Sequence, residues 1–228
     1  MKLSIPMTRT EVNFGWIYYL IQLLLLPSIL VIGNQFFGQP LTVATLNFLM
    51  FAINFLVVTM LFHRFLLQCA ALSLDAPVRC LRFAFLGLLI DYLGNLIVSQ
   101  LIFAIDPDFA NVNDTNISAM TQEQYTLMAI GTVLLVPPVE EVFYRGLIFR
   151  GLHAKSRIAA YAVSALVFSA VHILGYIGTS DWSTLGLCFL QYLPASIALA
   201  WAYERADSIW APILMHMTVN QIGILAMR

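Results

Sequence analysis

Residues 125–152 read YTLMAIGTVLLVPPVEEVFYRGLIFRGL, and their reading decides the fold. The stretch exceeds the roughly 20 mostly apolar residues that a helix needs to cross a bilayer. It nevertheless carries Glu140, Glu141 and Arg145 in its interior. The rest of the chain is equally apolar: 61% of its 228 residues are hydrophobic, 10% are charged, and the mean hydropathy is +0.85. A soluble domain carries about 25% charged residues, so this chain lacks the polar surface to face water. Its net charge of -1 gives no basic footprint for nucleic acid.

Working outward, further apolar runs of spanning length occur at Phe14–Ile32, Ala44–Phe62, Phe83–Ile105, Ile158–Ile177, Leu185–Trp201 and Ile209–Met227. Together with Tyr125–Leu152 they predict an all-α polytopic membrane protein of about seven transmembrane helices, within a range of six to eight. The first run follows Lys2 and Arg9 and reads as an uncleaved anchor rather than a signal peptide, because more spans follow it. The expected organisation is one transmembrane domain over 1–228. Residues 1–124 supply the first spans and an external loop, and 125–228 supply the core that carries chemistry.

Loop charge predicts the orientation. With the N-terminus inside, ten of the eleven Lys and Arg fall on or near the inner side (Lys2, Arg9, Arg64, Arg79, Arg82, Arg145, Arg150, Lys155, Arg157 and Arg205), and Arg228 falls outside. Short inner loops carry such a bias. The Asp106–Glu123 loop holds four acids and no base, and two N-x-[ST] sequons at Asn113 and Asn116, as an external loop can. These features predict an integral membrane protein with a cytoplasmic N-terminus, and its expected location is a prokaryotic inner or plasma membrane. The three cysteines, Cys69, Cys80 and Cys188, form no CxxC pair or even disulfide framework and read as apolar filler.

An ionisable side chain within a span costs several kcal/mol and marks function by default. Asp91, Glu140, Glu141, His172 and His216 all qualify. The Pro137-Pro138 pair predicts a break in the helix, with a new one starting there. Both glutamates would then lie near an N-terminus whose dipole favours negative charge. Glu141 and Arg145 are four apart, which suits an ion pair. Glu140 is rotated about 100° from Glu141 and is left to face a cavity. His216 and Asn220 are also four apart and share a face. Asp91 has no second aspartate at comparable depth and reads as a packing or cavity-lining residue.

Depth joins these groups. At 1.5 Å per residue, Glu141 lies roughly 16 Å from Leu152 and His172 about 21 Å from Ile158, while His216 and Asn220 lie about 10 and 16 Å from Ile209. Three helices could therefore bring Glu140, His172, His216 and Asn220 to one chamber. A carboxylate beside an imidazole can take a proton from water, and a second imidazole with an amide can stabilise an oxyanion. Two histidines and a glutamate could instead hold zinc. HExxH and GxSxG motifs are both missing.

The three motifs Glu140-Glu141-x-x-x-Arg145, Phe168-x-x-x-His172 and His216-x-x-x-Asn220 resemble the signature of the CPBP family. This family, also called the CAAX protease and bacteriocin-processing or Abi family, comprises glutamic-type intramembrane endopeptidases. The resemblance covers roughly Tyr125 to Met227. It implies that Glu140 and His172 activate water, that His216 and Asn220 bind the oxyanion, and that Glu141 and Arg145 form a supporting ion pair. It implies no metal or other cofactor, with zinc the less favoured version. The expected partners are the bilayer and a lipidated or membrane-spanning protein or peptide substrate. Two other classes compete. One is a non-catalytic immunity or assembly partner that keeps the polar chamber for structure. The other is a small Glu–His proton-coupled transporter, which would favour related halves or paired broken helices that the chain does not display.

Overall fold

The computed structural model describes residues 3–36 and 38–228, so Lys2, counted above among the inner bases, lies outside the described residues. Among the described residues there are nine helices and no extended strand. We number them α1 (Arg9–Asn34), α2 (Val43–Leu61), α3 (His63–Asp75), α4 (Pro77–Ile105), α5 (Val112–Glu123), α6 (Tyr125–His153), α7 (Arg157–Leu174), α8 (Trp182–Ala206) and α9 (Trp210–Ala226). Six of them, α1, α2, α4, α6, α7 and α8, are long and apolar enough to cross a membrane. The seventh expected span is α9, whose 17 residues extend about 26 Å. The chain is thus an all-α polytopic membrane protein.

Side-chain caps set many of the boundaries. The Thr8 hydroxyl accepts from Glu11 N–H while Glu11 Oε2 accepts from Thr8 N–H, a capping box that starts α1. The second oxygen of Glu11 accepts from Phe65 N–H at 3.0 Å and ties α1 to α3. Thr42, Asn111, Ser156 and Asp181 cap α2, α5, α7 and α8 with side-chain oxygens that accept from first-turn N–H groups. Asp181 accepts from Thr184 N–H, Thr184 Oγ1 and Ser183 Oγ, and these bonds hold its carboxyl well below the usual carboxylate range. Asp207 ends α8 with left-handed φ of 58°. Its carboxylate is held by Ser4 N–H and Ser4 Oγ, so the N-terminal segment closes over that turn.

α6 lies at the centre. Half of its apolar window is buried, against 11% for α1 and α4, whose Phe14, Leu24, Leu93 and Ile97 face outward. Around α6 stand α1, α2, α7, α8 and α9, and α4 packs along α8 and α9. Gly87 makes that last approach possible, because an added Cβ would come within 2.8 Å of Met215 Sδ and 3.1 Å of Ala202 Cβ.

Two segments between the expected spans contain helices, α3 and α5. In α3, Phe65, Leu66 and Cys69 are buried, which gives a connecting segment an apolar face to dock. α5 holds Thr121 buried and its first turn is anchored by polar contacts to α8. The spans themselves run longer than expected where polar ends are satisfied. α4 starts at Pro77, a residue suited to a first turn, and α8 continues to Ala206 because Glu204 is paired within the protein.

The largest departure is at Pro137-Pro138. The expected break and new N-terminus do not form, and α6 runs unbroken from Tyr125 to His153. The helix instead widens to π geometry over Ile130–Leu135, where Val136 N–H reaches back to Gly131 C=O. A proline ring collides with the carbonyl four residues earlier in an α-helix, and a wider turn before it moves that carbonyl away. The same device occurs in α1, where Leu26 N–H bonds Ile21 C=O immediately ahead of Pro27. Glu140 and Glu141 therefore sit in mid-helix, without the N-terminal dipole the sequence suggested.

Candidate active site

A second π stretch, Val142–Phe149, follows the glutamates directly, and every residue in it is buried. Glu141 and Arg145 are both fully buried, and Arg145 Nη1 donates to Glu141 Oε1 at 3.2 Å. Arg145 Nη2 donates to Ser196 C=O at 3.0 Å and Ser196 Oγ at 3.1 Å, which fastens α6 to α8. Its guanidinium lies 4.7 Å from the Phe168 ring centroid, a cation–π distance that favours the charge in a dry setting. A buried cation with these partners is strongly held, and removal of one partner would leave a bare charge.

His216 joins this group from α9. Its Nδ1 lies 2.8 Å from Glu141 Oε1, the oxygen that also accepts from Arg145. A carboxylate accepts, so Nδ1 carries the hydrogen. Nε2 then faces Glu140 Oε2 at 3.9 Å, beyond hydrogen-bond distance. Glu140 and Glu141 thus leave the helix in different directions, as spacing suggested, yet both reach His216 from opposite sides of its ring. Glu140 Oε2 is buried without a partner, although its side chain as a whole is 23% exposed.

His172, on α7, is placed differently. Its Nδ1 lies 2.8 Å from Phe168 C=O. A carbonyl only accepts, so Nδ1 is the donor and Nε2 bears the lone pair in the neutral ring. Among the described residues no ion pair joins His172 to Glu140. Phe168 connects the two imidazoles, with centroids 4.5 Å from His172 and 6.1 Å from His216.

Asn220 contributes through the prolines. In π register the partner of Thr132 C=O would be the N–H of residue 137, which proline lacks. The Asn220 Nδ2 donates to that freed carbonyl at 2.8 Å and keeps its second N–H. Thr132 Oγ1, next to it, is buried without a partner. Asp91 is buried and accepts from Asn95 Nδ2 at 2.6 Å. It lies one turn beyond Gly87 on the face of α4 that meets α8 and α9.

Sequence reasoning missed two positioning residues. Ser196 gave no signal, because its role rests on a carbonyl and a hydroxyl meeting Arg145 across helices. Tyr192 stacks on His172 with centroids 4.2 Å apart and planes 30° apart. Its hydroxyl donates to Asp114 Oδ1 at 3.0 Å and accepts from Asn113 Nδ2 at 3.0 Å. Burial pushes the Asp114 carboxyl up, against the Tyr192 hydrogen bond and the nearby His172, which lower it. A polar tyrosine inside an apolar span was the available clue. Among the described residues no three His, Cys, Asp or Glu side chains converge as a metal-ion cage.

Residues 122–222 match the family model of type II CAAX prenyl endopeptidases of the Rce1-like kind. The chain is also 29% identical over 100 residues to YdiL of Bacillus subtilis, whose name reads "putative membrane peptidase". That alignment covers 43% of this chain and 36% of YdiL, so the chain spans little more than a third of that relative in the match. No solved structure matches. The matched stretch is similar to the CPBP, or CAAX-protease, family that its three motifs resemble. It contains α6, α7 and α8 entire and the first part of α9, which together carry every residue of those motifs.

Proposed function

We propose that this protein is an intramembrane endopeptidase of the glutamic type, acting on a lipidated or membrane-spanning protein or peptide. One observation carries the reading: Glu140 Oε2 is buried, unpartnered and 3.9 Å from His216 Nε2, while Glu141 is committed to Arg145 and His216. A carboxylate so placed is free to receive a proton, whereas its neighbour serves to hold other groups.

In this mechanism Glu140 takes a proton from water, and the lone pair on His172 Nε2 orients that water. The hydroxide bonds to the carbonyl carbon of the scissile peptide, and the carbonyl π electrons move onto oxygen. His216 Nε2–H and the second N–H of Asn220 would donate to that oxyanion. The tetrahedral species collapses with cleavage of the C–N bond, and Glu140 returns the proton to the departing amine. The donation from Nε2 requires a ring that carries both protons, and Glu141 would support it through Nδ1–H. Apolar walls around the site strengthen each of these interactions. No metal enters the scheme. The base-rich ends of α3, α4, α6 and α7 would face the cytoplasm of a prokaryotic cell.

Purified protein in liposomes, presented with membrane-anchored peptides, tests this reading. Cleavage by the wild type and its loss in Glu140→Ala and His172→Ala are expected, with no effect of a chelator. Cleavage that survives Glu140→Ala sinks the mechanism. Loss on chelation with recovery on added zinc would convert the scheme to a metalloprotease.

A further inference from the structure

A cavity of about 950 Å³ that neither glutamate lines lies between the N-terminal segment, α1, the final turns of α6, and α7. This volume is in the range of small-molecule sites. Its walls are mostly apolar, among them Met7, Val12, Leu147, Leu152 and Val167. Trp16 on α1 and Val163 on α7 stand at its rim, 43% and 38% exposed, so it opens sideways towards the bilayer. From the start of α7 at Arg157 to Val167 is ten residues, about 15 Å of membrane depth.

One end of this apolar slot holds a cation. Arg150 lines the cavity, its Nη2 donates to Leu3 C=O at 3.3 Å, and its Nη1 is buried without a partner. Among the described residues no carboxylate pairs with it. Glu204 is taken by Arg157, His153 and Tyr161, and Asp207 by Ser4. Arg9 stands two residues from Met7 and Lys155 next to Ala154, both of which line the cavity. A partly buried guanidinium with a free N–H and no carboxylate in contact is costly, and its fork suits phosphate. Basic pockets between transmembrane helices at the headgroup level take anionic lipids.

We propose that this cavity is a binding site for an anionic phospholipid, with one acyl chain in the slot between α1 and α7 and the phosphate on Arg150. The ligand would bridge the N-terminal segment and the end of α6. This inference is independent of the protease reading.

The full chain, reconstituted and then re-extracted in mild detergent, would be titrated with phosphatidylglycerol and with phosphatidylcholine of identical chains. Bound lipid would be read by native mass spectrometry and unfolding temperature by light scattering. Wild type is expected to retain phosphatidylglycerol and to gain unfolding temperature from it, with little effect of phosphatidylcholine. Arg150→Gln should weaken phosphatidylglycerol binding by about tenfold or more. Val163→Trp should block it by filling the mouth while leaving the cation intact, which keeps the test valid should Arg150→Gln fail to fold. Equal retention of both lipids, or unchanged phosphatidylglycerol binding in Val163→Trp, overturns the proposal. Preference for a neutral isoprenoid chain over either phospholipid also overturns it.

Discussion

His216 presents one ring nitrogen to each of two adjacent glutamates, Nδ1 to Glu141 Oε1 at 2.8 Å and Nε2 to Glu140 Oε2 at 3.9 Å. The two carboxylates are chemically alike and one residue apart, but their surroundings assign them different work. Glu141 is buried and saturates part of the Arg145 charge. Glu140 is partly exposed and has an oxygen without a partner.

The pair should therefore separate under mutation. Glu140→Gln is expected to abolish cleavage while changing stability by no more than about 0.5 kcal/mol, as at other partly exposed sites. Glu141→Gln leaves Arg145 with a neutral partner in a dry core and should cost about 3 kcal/mol. Unfolding in mixed micelles with increasing denaturing detergent, alongside cleavage assays, measures both.

Asn220 and Pro137 should behave as a couple. Asn220→Ala removes a proposed oxyanion donor and is expected to lower kcat by about 100-fold with little change in KM. Pro137→Ala restores an N–H that competes for the carbonyls Asn220 now relies on. It should lower kcat by at least about tenfold through misplacement of that amide, with unfolding temperature unchanged or raised. Steady-state kinetics on both variants decides the matter.

Tyr192 is expected to orient His172 through its ring. Tyr192→Phe keeps the stack and loses the Asp114 and Asn113 bonds, whereas Tyr192→Leu loses both. An aromatic pair contributes about 1 kcal/mol, so the leucine variant should lose roughly fivefold in kcat and the phenylalanine variant clearly less. Comparable losses in both would assign the effect to the polar contacts with α5 instead.

Gly94 packs against Pro194 of α8, where an added Cβ would meet the Pro194 Cβ at 2.8 Å. The proline ring is rigid, so Gly94→Ala should separate α4 from α8 and cost about 1–3 kcal/mol. The same unfolding measurement reads it.

The spans were legible because the bilayer imposes length and apolarity on each one separately, and local composition reveals both. The i, i+4 contact of Glu141 with Arg145 was legible for a similar reason, since one helix contains it. The expected break at Pro137-Pro138 was wrong because proline chemistry excludes α geometry without selecting what replaces it. Tertiary packing around α6 selected a wide turn over a break. Depth arithmetic offered a level for His172 but not its contacts, and neither the hydrogen bond to Phe168 C=O nor the stack on Tyr192 could be read from it. Ser196 lay beyond the reach of pattern, because it acts on a group contributed by another helix, and Tyr192 offered only its hydroxyl inside an apolar span.

The wide turn over Ile130–Leu135 also makes residue count matter as much as residue identity. Each residue turns an α-helix by about 100°. Loss of a single residue from that turn would swing everything after it by that angle and send Glu141 and Arg145 towards the hydrocarbon. Insertions and deletions there should be lethal to function even where side-chain exchanges are harmless. The gap-free length between Gly131 and Glu140 thus acts as a ruler, cut to fit one orientation of the charges.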